Sequence, residues 1–420
     1  MATPVSEAQE CAKDVARGRV PMPRSLRLVW VGSVVAFGLM VLVGYVRYRM
    51  GFPATNCNPL MGVRYDDLTQ FLPIYRLLHT ASFYSGHVAY PPLGAVVYAV
   101  VYGTGHPVGF YLWTAALWLT AGVWGVRREL MAAGIGGVVS TLFPLTVVLA
   151  SFPLAGLLQR GNIELYLWIF AALGTWAYFR GYAAAAAVLW ALAAAMKIYP
   201  VVFLLLLLPR RQWRAFGVGV ATFVGATVAS MAWMGPSIGV AWRGSLTNFL
   251  GFQSLAVTVW SLHELGANHS VFVVPKLVAT MAGVPLSKVM LPYYACGAVV
   301  LVWAFFGRLW KMPVANQLLA VTVFMVLLPT ISYFYTLVHL IAPLAVLVFV
   351  TLRAERAGVN IPGLRGTMML FVPLFASFML FTFPSVFVYG GMVQMVLLVL
   401  LFVCALQYPF AAVEAEAGAR

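Results

Sequence analysis

The sequence predicts an all-α membrane protein with about twelve transmembrane helices. Of its 420 residues, 63% are hydrophobic and 9% are charged, whereas a soluble domain carries about 25% charged residues. Its mean hydropathy is +0.92, and apolar runs approaching the roughly 20 residues of a membrane-spanning helix recur along the chain. These observations exclude an ordinary soluble domain.

Twelve apolar runs, separated by short polar turns, are the expected spans. They lie near residues 27–46, 107–126, 131–150, 163–179, 182–196, 198–209, 215–234, 289–306, 314–331, 337–352, 366–384 and 391–407. We expect residues 27–407 to form a single polytopic transmembrane domain, flanked by cytoplasmic tails of residues 1–26 and 408–420. No internal repeat is visible.

The basic residues indicate how the chain is oriented in the membrane. The net charge is +15, but the basic residues are scattered over short turns, which is typical of the positive-inside rule and not of nucleic-acid binding. Most of them fall on one side if the N-terminus is cytoplasmic. We therefore expect a multi-pass protein of the cell (plasma) membrane with both termini in the cytoplasm.

Two longer segments are then expected on the outer face, residues 48–106 and 235–288. In the first, apolar residues between Asp67 and Leu78 recur at near-helical spacing, which predicts a helix lying in the membrane interface. Residues 91–104 are too few to cross the bilayer and should lie on or partly in the outer surface.

The carboxylates are few enough to be sorted individually. The chain has 11, and four belong to the outer side in this orientation: Asp66, Asp67, Glu164 and Glu264. A general base working at the outer face must be one of these four or a histidine. Asp66 and Asp67 begin the predicted interfacial helix, so helix capping and catalysis both remain open for them.

Two further polar positions lie at helix ends. Glu164 follows Arg160 and Asn162 between two apolar runs, where unpaired polar groups are costly in lipid. This cluster therefore either faces a polar cavity or contains an Arg160–Glu164 pair at i, i+4 spacing. Lys197 lies where two short apolar runs meet, so it either snorkels to the interface or holds a phosphate.

Histidines and cysteines do not suggest a metal site. His339 lies at the outer end of a span, where an ionisable residue is a functional candidate, although a packed histidine is the alternative. His263 and His269 flank Glu264 in a loop, a spacing that says little about metal ligation. The cysteines are widely separated, without a C-x-x-C pair: Cys11, Cys57, Cys296 and Cys404.

Several short motifs occur in an order that resembles one family. They are Asp67-Leu68, Tyr75, Tyr90-Pro91-Pro92-Leu93, Gly161-Asn162, Lys197-Ile198-Tyr199-Pro200, Arg210-Arg211-Gln212-Trp213-Arg214, Gln253-Ser254-Leu255 and Pro329-Thr330-Ile331-Ser332. Together they resemble the polyprenyl-phosphate-mannose-dependent α-mannosyltransferases of the GT-C superfamily, glycosyltransferase family 87. The chain departs from the family pattern after Ser332. The pattern usually has a histidine within three or four residues of this serine, whereas here Tyr333 and Tyr335 occupy that place and His339 comes later.

The resemblance implies a GT-C-type helix bundle that transfers a hexose, by default mannose, from a polyprenyl-phosphate donor to a lipid or glycan acceptor. One base is then sufficient, because the leaving lipid phosphate is already a stable anion. By position in the motif, Asp67 is the expected base with Asp66 in reserve.

The implied phosphate-binding cations are Arg160, Lys197 and Arg243. The implied sugar or acceptor contacts are Asn162, Glu164, Gln253, Tyr335 and His339. The expected partners are this donor, this acceptor and membrane lipids. No metal, other cofactor or nucleic-acid partner is expected.

Two other functions remain open from the sequence. A transporter or flippase of a lipid or small solute would also need many spans and a few polar groups within the membrane. A non-catalytic scaffold for cell-envelope enzymes is the other alternative. Polar residues gathered toward the outer face favour the transferase.

Overall fold

The protein is helical throughout the part of the chain that the computed structural model describes, residues 21–50, 65–86, 90–258, 266, 268–380 and 390–411. Within these residues the one β-type contact is an isolated antiparallel bridge between Asn268 and Tyr333. The predicted fold class, an all-α membrane protein, is confirmed.

The amino-terminal half contains ten α-helices and two 3₁₀ segments among the described residues. The α-helices are α1 Arg24–Arg49, α2 Asp66–Thr69, α3 Leu72–Tyr75, α4 Pro92–Gly103, α5 Pro107–Ala132, α6 Gly137–Leu149, α7 Phe152–Arg160, α8 Glu164–Phe179, α9 Ala183–Met196 and α10 Trp213–Met234. The 3₁₀ segments are Ala81–Gly86 and Tyr199–Leu207.

The carboxyl-terminal half continues in the same way. Its α-helices are α11 Ile238–Thr258, α12 Val273–Met281, α13 Ser287–Gly307, α14 Val314–Leu327, α15 Ile341–Arg356, α16 Leu364–Leu380 and α17 Gly390–Gln407. Its 3₁₀ segments are Leu309–Lys311 and Phe334–Leu340.

Among the residues that the structure describes, five helical stretches are long and apolar enough to cross a membrane. They are Arg24–Val43, Trp213–Met234, Ser287–Lys311, Phe334–Arg356 and Gly390–Gln407. The pair α6 and α7 counts as a sixth if its 59° bend lies within one span. All twelve predicted apolar runs contain helix, but several of these helices are short, so the count of twelve spans is not confirmed.

Two predictions about local structure need correction. The run 198–209 is a 3₁₀ segment of nine residues, which reaches about 18 Å and not the roughly 30 Å of the hydrocarbon core. The helix predicted from Asp67 to Leu78 is broken into α2 and α3, because Pro73 has no N–H to donate back along a continuous helix. The expected second outer segment, 235–288, contains α11 and α12 among its described residues.

The segment 91–104 forms α4, which is 12 residues long. A helix of this length spans about 18 Å, too little to cross the bilayer. It packs against α9 and α10, and Gly94 allows the close approach, because a Cβ there would lie 2.8 Å from the carbonyl oxygen of Met196. α4 therefore lies beside the end of α9, where Lys197 follows.

The buried apolar side chains form two clusters among the described residues. The larger one is built mainly from α8, α9, α14, α15, α16 and α17. The smaller one is rich in aromatic residues and includes Leu68, Tyr98, Phe152, Phe334 and Tyr335. This second cluster surrounds the polar residues that the sequence singled out.

Candidate active site

A sharp turn between α7 and α8 carries three of the predicted site residues. Gly161 ends α7 in the left-handed conformation, with φ 66° and ψ 38°, which glycine adopts without steric cost. A Cβ on Gly161 would lie 2.8 Å from Cβ of Leu68, so the turn also packs tightly on α2. The side-chain oxygen of Asn162 then accepts the backbone N–H of Glu164 at 3.0 Å. Arg160, Asn162 and Glu164 thus come from one five-residue turn.

Asp67 is held by two residues of this turn. Arg160 donates from Nε to Asp67 Oδ2 and from Nη2 to Oδ1, both at 2.8 Å. Asn162 Nδ2 donates to the same Oδ2 at 2.7 Å. Asp67 is buried, and such a two-pronged pairing with arginine is the strongest hydrogen-bonded arrangement available to a carboxylate. The hypothesised Arg160–Glu164 pair is therefore wrong: Arg160 pairs with Asp67.

The capping role considered for Asp66 and Asp67 is not observed. The N-cap of α2 is Tyr65, in the left-handed conformation, and no side chain caps the helix. The Tyr65 N–H instead donates to the carbonyl of Gln159 at 2.8 Å, which ties α2 to the end of α7. Asp66 is partly exposed, and its carboxylate makes no hydrogen bond or ion pair with the described residues.

Glu164 is the centre of a second polar group. Its side chain is completely buried, and Lys197 Nζ lies 2.6 Å from Oε1. His339 Nε2 lies 2.9 Å from Oε2, and the Tyr199 hydroxyl donates to Oε1. Because a buried charge is tolerated only when it is paired and hydrogen-bonded, these contacts explain how Glu164 is retained in the core.

The two polar groups are adjacent in space. The Arg160 guanidinium carbon lies 5.6 Å from the ring centroid of Tyr335, and Lys197 Nζ lies 6.0 Å from the same centroid. Lys197 Nζ is also 5.7 Å from the ring of Tyr90. Aromatic faces at this distance attract cations. We call the combined set the paired-carboxylate site: Asp67, Arg160, Asn162, Glu164, Lys197, Tyr335 and His339.

The charges of the paired-carboxylate site are balanced one to one. Asp67 is matched by Arg160 and Glu164 by Lys197. Burial and the negative charge of Asp67 raise the pKa of the Tyr90 hydroxyl above its usual value, so Tyr90 remains a hydrogen-bond donor at neutral pH. The site therefore offers cations, aromatic faces and hydroxyl groups to a ligand carrying a small negative charge.

One other candidate, Arg243, is not brought into this set, and the side chains of three further residues lie outside the described part of the chain. Arg243 is an exposed residue of α11 and forms no hydrogen bond or ion pair with the described residues. Gln253 also belongs to α11, but its side chain lies outside the described residues. His263 and Glu264 lie outside them as well.

A buried polar cluster beside the site was not predicted. Asn268 donates from Nδ2 to the carbonyl of Thr330 at 3.1 Å, and its Oδ1 accepts the N–H of Ser332 at 2.9 Å. His269 Nε2 lies 2.9 Å from Ser332 Oγ and 3.2 Å from Thr336 Oγ1. This cluster fixes the segment that carries Tyr335 and His339. The sequence signal for it was the P-x-x-S motif, whose serine is Ser332.

No group of three or more His, Cys, Asp or Glu side chains in the described part of the chain is arranged to hold a metal ion. His269, which the sequence placed near Glu264, instead contacts hydroxyl groups. The expectation that the reaction needs no metal stays a prediction.

Comparison with known proteins identifies one match. The sequence profile of glycosyltransferase family 87 matches residues 88–332, more than half of the chain. This stretch includes the α7–α8 turn, Lys197, and the segment from Asn268 to Ser332. No curated protein and no solved structure matches the chain.

Proposed function

The chain belongs to glycosyltransferase family 87, and we propose that it transfers a hexose from a polyprenyl-phosphate donor to a hydroxyl of a lipid or glycan acceptor. Mannose is the first sugar to test. The observation that carries this proposal is the pairing of two buried carboxylates with two cations around Tyr335. We further propose that the protein works in the plasma membrane, with this site toward the outer face and both termini cytoplasmic.

The charge balance of the site supports a lipid monophosphate sugar as donor. Such a donor is a phosphodiester with one negative charge, and Arg160 and Lys197 flank one aromatic ring on which a phosphate and sugar can be held. Arginine binds phosphate oxygens in a two-pronged geometry, and lysine binds them as a point charge. Membrane-capable helices around the site suit a polyprenyl chain, which is itself apolar.

Asp67 is the proposed base. The acceptor oxygen attacks the anomeric carbon on the face opposite the phosphate, and the bond from this carbon to the phosphate oxygen breaks. Polyprenyl phosphate leaves with the electron pair, while the acceptor proton moves to Asp67. The configuration at the anomeric carbon is inverted, and no acid is needed for the leaving group, unlike in glycoside hydrolysis.

The remaining residues support this step. Arg160 and Lys197 stabilise the charge that develops on the departing phosphate. Glu164 and His339 were expected to contact sugar or acceptor. Since Lys197, Tyr199 and His339 occupy the carboxylate of Glu164, we now propose that it orients Lys197 and His339. Asn162 orients Asp67, and Tyr335 supplies an aromatic face to the donor.

The departure from the family pattern does not remove a histidine from this site. His339 comes later in the chain than the pattern places it, yet the 3₁₀ segment Phe334–Leu340 brings it to Glu164. We propose that it takes part in the donor site through that contact.

The first experiment measures sugar transfer in membranes. Radiolabelled polyprenyl-phosphate hexoses and native lipid extract are supplied to membranes containing the wild-type protein, Asp67→Asn or Glu129→Gln. Removing a general base costs about 10²- to 10⁴-fold in rate, so Asp67→Asn should abolish measurable transfer at equal protein abundance. Glu129→Gln is the matched control, because this half-exposed carboxylate pairs with Arg180 on another surface.

Other outcomes change the proposal in defined ways. Normal transfer by Asp67→Asn would overturn Asp67 as base and direct attention to Asp66. No transfer by the wild-type protein from any polyprenyl-phosphate hexose would overturn the donor class.

A further inference from the structure

The carboxylate of Asp67 has no free oxygen in the structure. Its Oδ1 accepts Arg160 Nη2 at 2.8 Å and Gln70 Nε2 at 3.5 Å, and its Oδ2 accepts both Arg160 Nε and Asn162 Nδ2. A general base must present a lone pair to the proton that it removes. Since these four hydrogen bonds fill the roughly four lone-pair sites of the carboxylate, at least one partner has to release Asp67 before it can accept a proton.

Of the two partners within 2.8 Å of Asp67, Asn162 is the less mobile. It is buried, its Oδ1 accepts the N–H of Glu164, and its backbone carbonyl accepts the Tyr111 hydroxyl at 3.1 Å. Arg160 is the last residue of α7, and 30% of its side chain is exposed. A long side chain at a helix end rearranges more readily than a short side chain fixed at both ends, so Arg160 is the partner that can move.

In its present position Arg160 already lies beside the ring at which we place the donor phosphate. Its guanidinium already lies near the face of Tyr335, and Lys197 approaches the same ring. A phosphate bound between these two cations would accept two hydrogen bonds from Arg160, in the same planar geometry that Asp67 accepts now. Carboxylate and phosphate therefore compete for one guanidinium group.

We propose that Arg160 exchanges partners when the donor binds, pairing with Asp67 in the empty site and with the donor phosphate in the complex. This inference rests on the proposed function. Donor binding thereby activates the base: Asp67 becomes able to accept the acceptor proton once Arg160 has paired with the donor phosphate. After transfer, the departing polyprenyl phosphate gains negative charge and holds Arg160 until it leaves.

The exchange has a consequence for binding that a fixed Arg160–Asp67 pair does not have. In the wild-type protein, part of the affinity of Arg160 for phosphate is offset by the loss of its pair with Asp67. Without the charge on Asp67, that offset disappears. Donor-site affinity should therefore rise when Asp67 is neutralised, although transfer is lost.

The test measures binding of polyprenyl phosphate, which carries no sugar to transfer, to the purified full-length protein in detergent. Four forms are compared: wild type, Asp67→Asn, Arg160→Gln and the double variant. We expect Asp67→Asn to bind more tightly than wild type. We also expect Arg160→Gln to weaken binding by about tenfold more in the Asp67→Asn background than in the wild-type background.

The binding results distinguish a failure of the partner exchange from a failure of the proposed donor. Equal effects of Arg160→Gln in the two backgrounds, or weaker binding by Asp67→Asn, would overturn the exchange while leaving the proposed donor intact. No binding of polyprenyl phosphate by the wild-type protein would overturn the proposed donor and the exchange with it. If Asp67→Asn does not fold, Asp67→Ser, which also removes the charge, replaces it in the comparison.

Discussion

Asn162 connects the two buried acidic residues: its Nδ2 donates to Asp67 Oδ2 at 2.7 Å, and its Oδ1 accepts the backbone N–H of Glu164 at 3.0 Å. One amide thus sets the position of the proposed base relative to the start of α8.

Replacing Asn162 by alanine should therefore slow transfer. The proposed base loses one orienting hydrogen bond, and misplacing a catalytic group by about 1 Å can cost on the order of 100-fold in rate. Initial transfer rates in membranes, normalised to the amount of protein, measure the effect. Asn162→Asp is the companion variant: it keeps the size of the side chain but places a second carboxylate against Asp67, so it should be slower still. A wild-type rate in Asn162→Ala would contradict the orienting role.

Neutralising Glu164 should destabilise the protein. In Glu164→Gln the partly buried ammonium group of Lys197 loses its ion-pair partner, and breaking a buried pair from one side costs about 3–5 kcal/mol. Chemical unfolding in detergent measures the loss. The double variant Glu164→Gln, Lys197→Met removes both charges and should recover part of the stability. If the double variant loses as much as the sum of the single variants, the two residues do not act as a pair.

Adding a methyl group at Gly156 should disturb the site through Phe334. A Cβ at this position of α7 would lie 2.0 Å from Cε2 of Phe334, so Phe334 must shift, and overpacking of a core costs about 1–3 kcal/mol. Because Tyr335 follows directly, transfer should fall together with the unfolding free energy. Gly125→Ala in α5 is the matched control, since nothing lies within 4 Å of its Cβ position. Equal stability of the two variants would show that α7 does not pack on Phe334 in this way.

The buried His269 should make the protein less stable in acid. Burial lowers the pKa of His269 to about 3, whereas the unfolded chain binds a proton at about pH 6.5. Between these values the unfolded state takes up a proton that the folded state does not, so stability is lost as the pH falls below about 6.5, by about 1.4 kcal/mol per pH unit for one such group. The wild-type protein should therefore lose more stability than His269→Gln between pH 6.5 and 4.5. Parallel stability curves for the two proteins would contradict this assignment.

Much of the fold follows from the sequence because lipid leaves few alternatives. Each predicted apolar run contains a helix, since a backbone in the membrane must satisfy its hydrogen bonds within one segment. The number of spans does not follow in the same way. Hydropathy does not distinguish a helix that crosses the bilayer from a shorter one packed against its neighbours, and α4, α9 and α14 are of the shorter kind.

Most residues of the candidate site were selected from the sequence, but the contacts among them were not predicted. Asp67, Asn162, Lys197 and His339 were selected as polar residues at helix ends, and the structure brings them together. Of the two alternatives for Arg160, the Arg160–Glu164 pair is not observed, because an i, i+4 ion pair requires a continuous helix and Gly161 ends the helix between the two residues. The polar cluster of Asn268, His269 and Ser332 was missed because its contacts join residues more than 60 positions apart.

The sequence by itself determined that this protein is an α-helical membrane protein with a small set of polar residues at the ends of its helices. Local composition is sufficient for that, since transfer into lipid depends on the apolar content of each segment. The tertiary structure alone decided which cation faces which carboxylate: Arg160 faces Asp67, and Lys197 faces Glu164. Such pairings depend on how helices that are distant in the sequence pack, because a buried charge must find a partner wherever the fold places one.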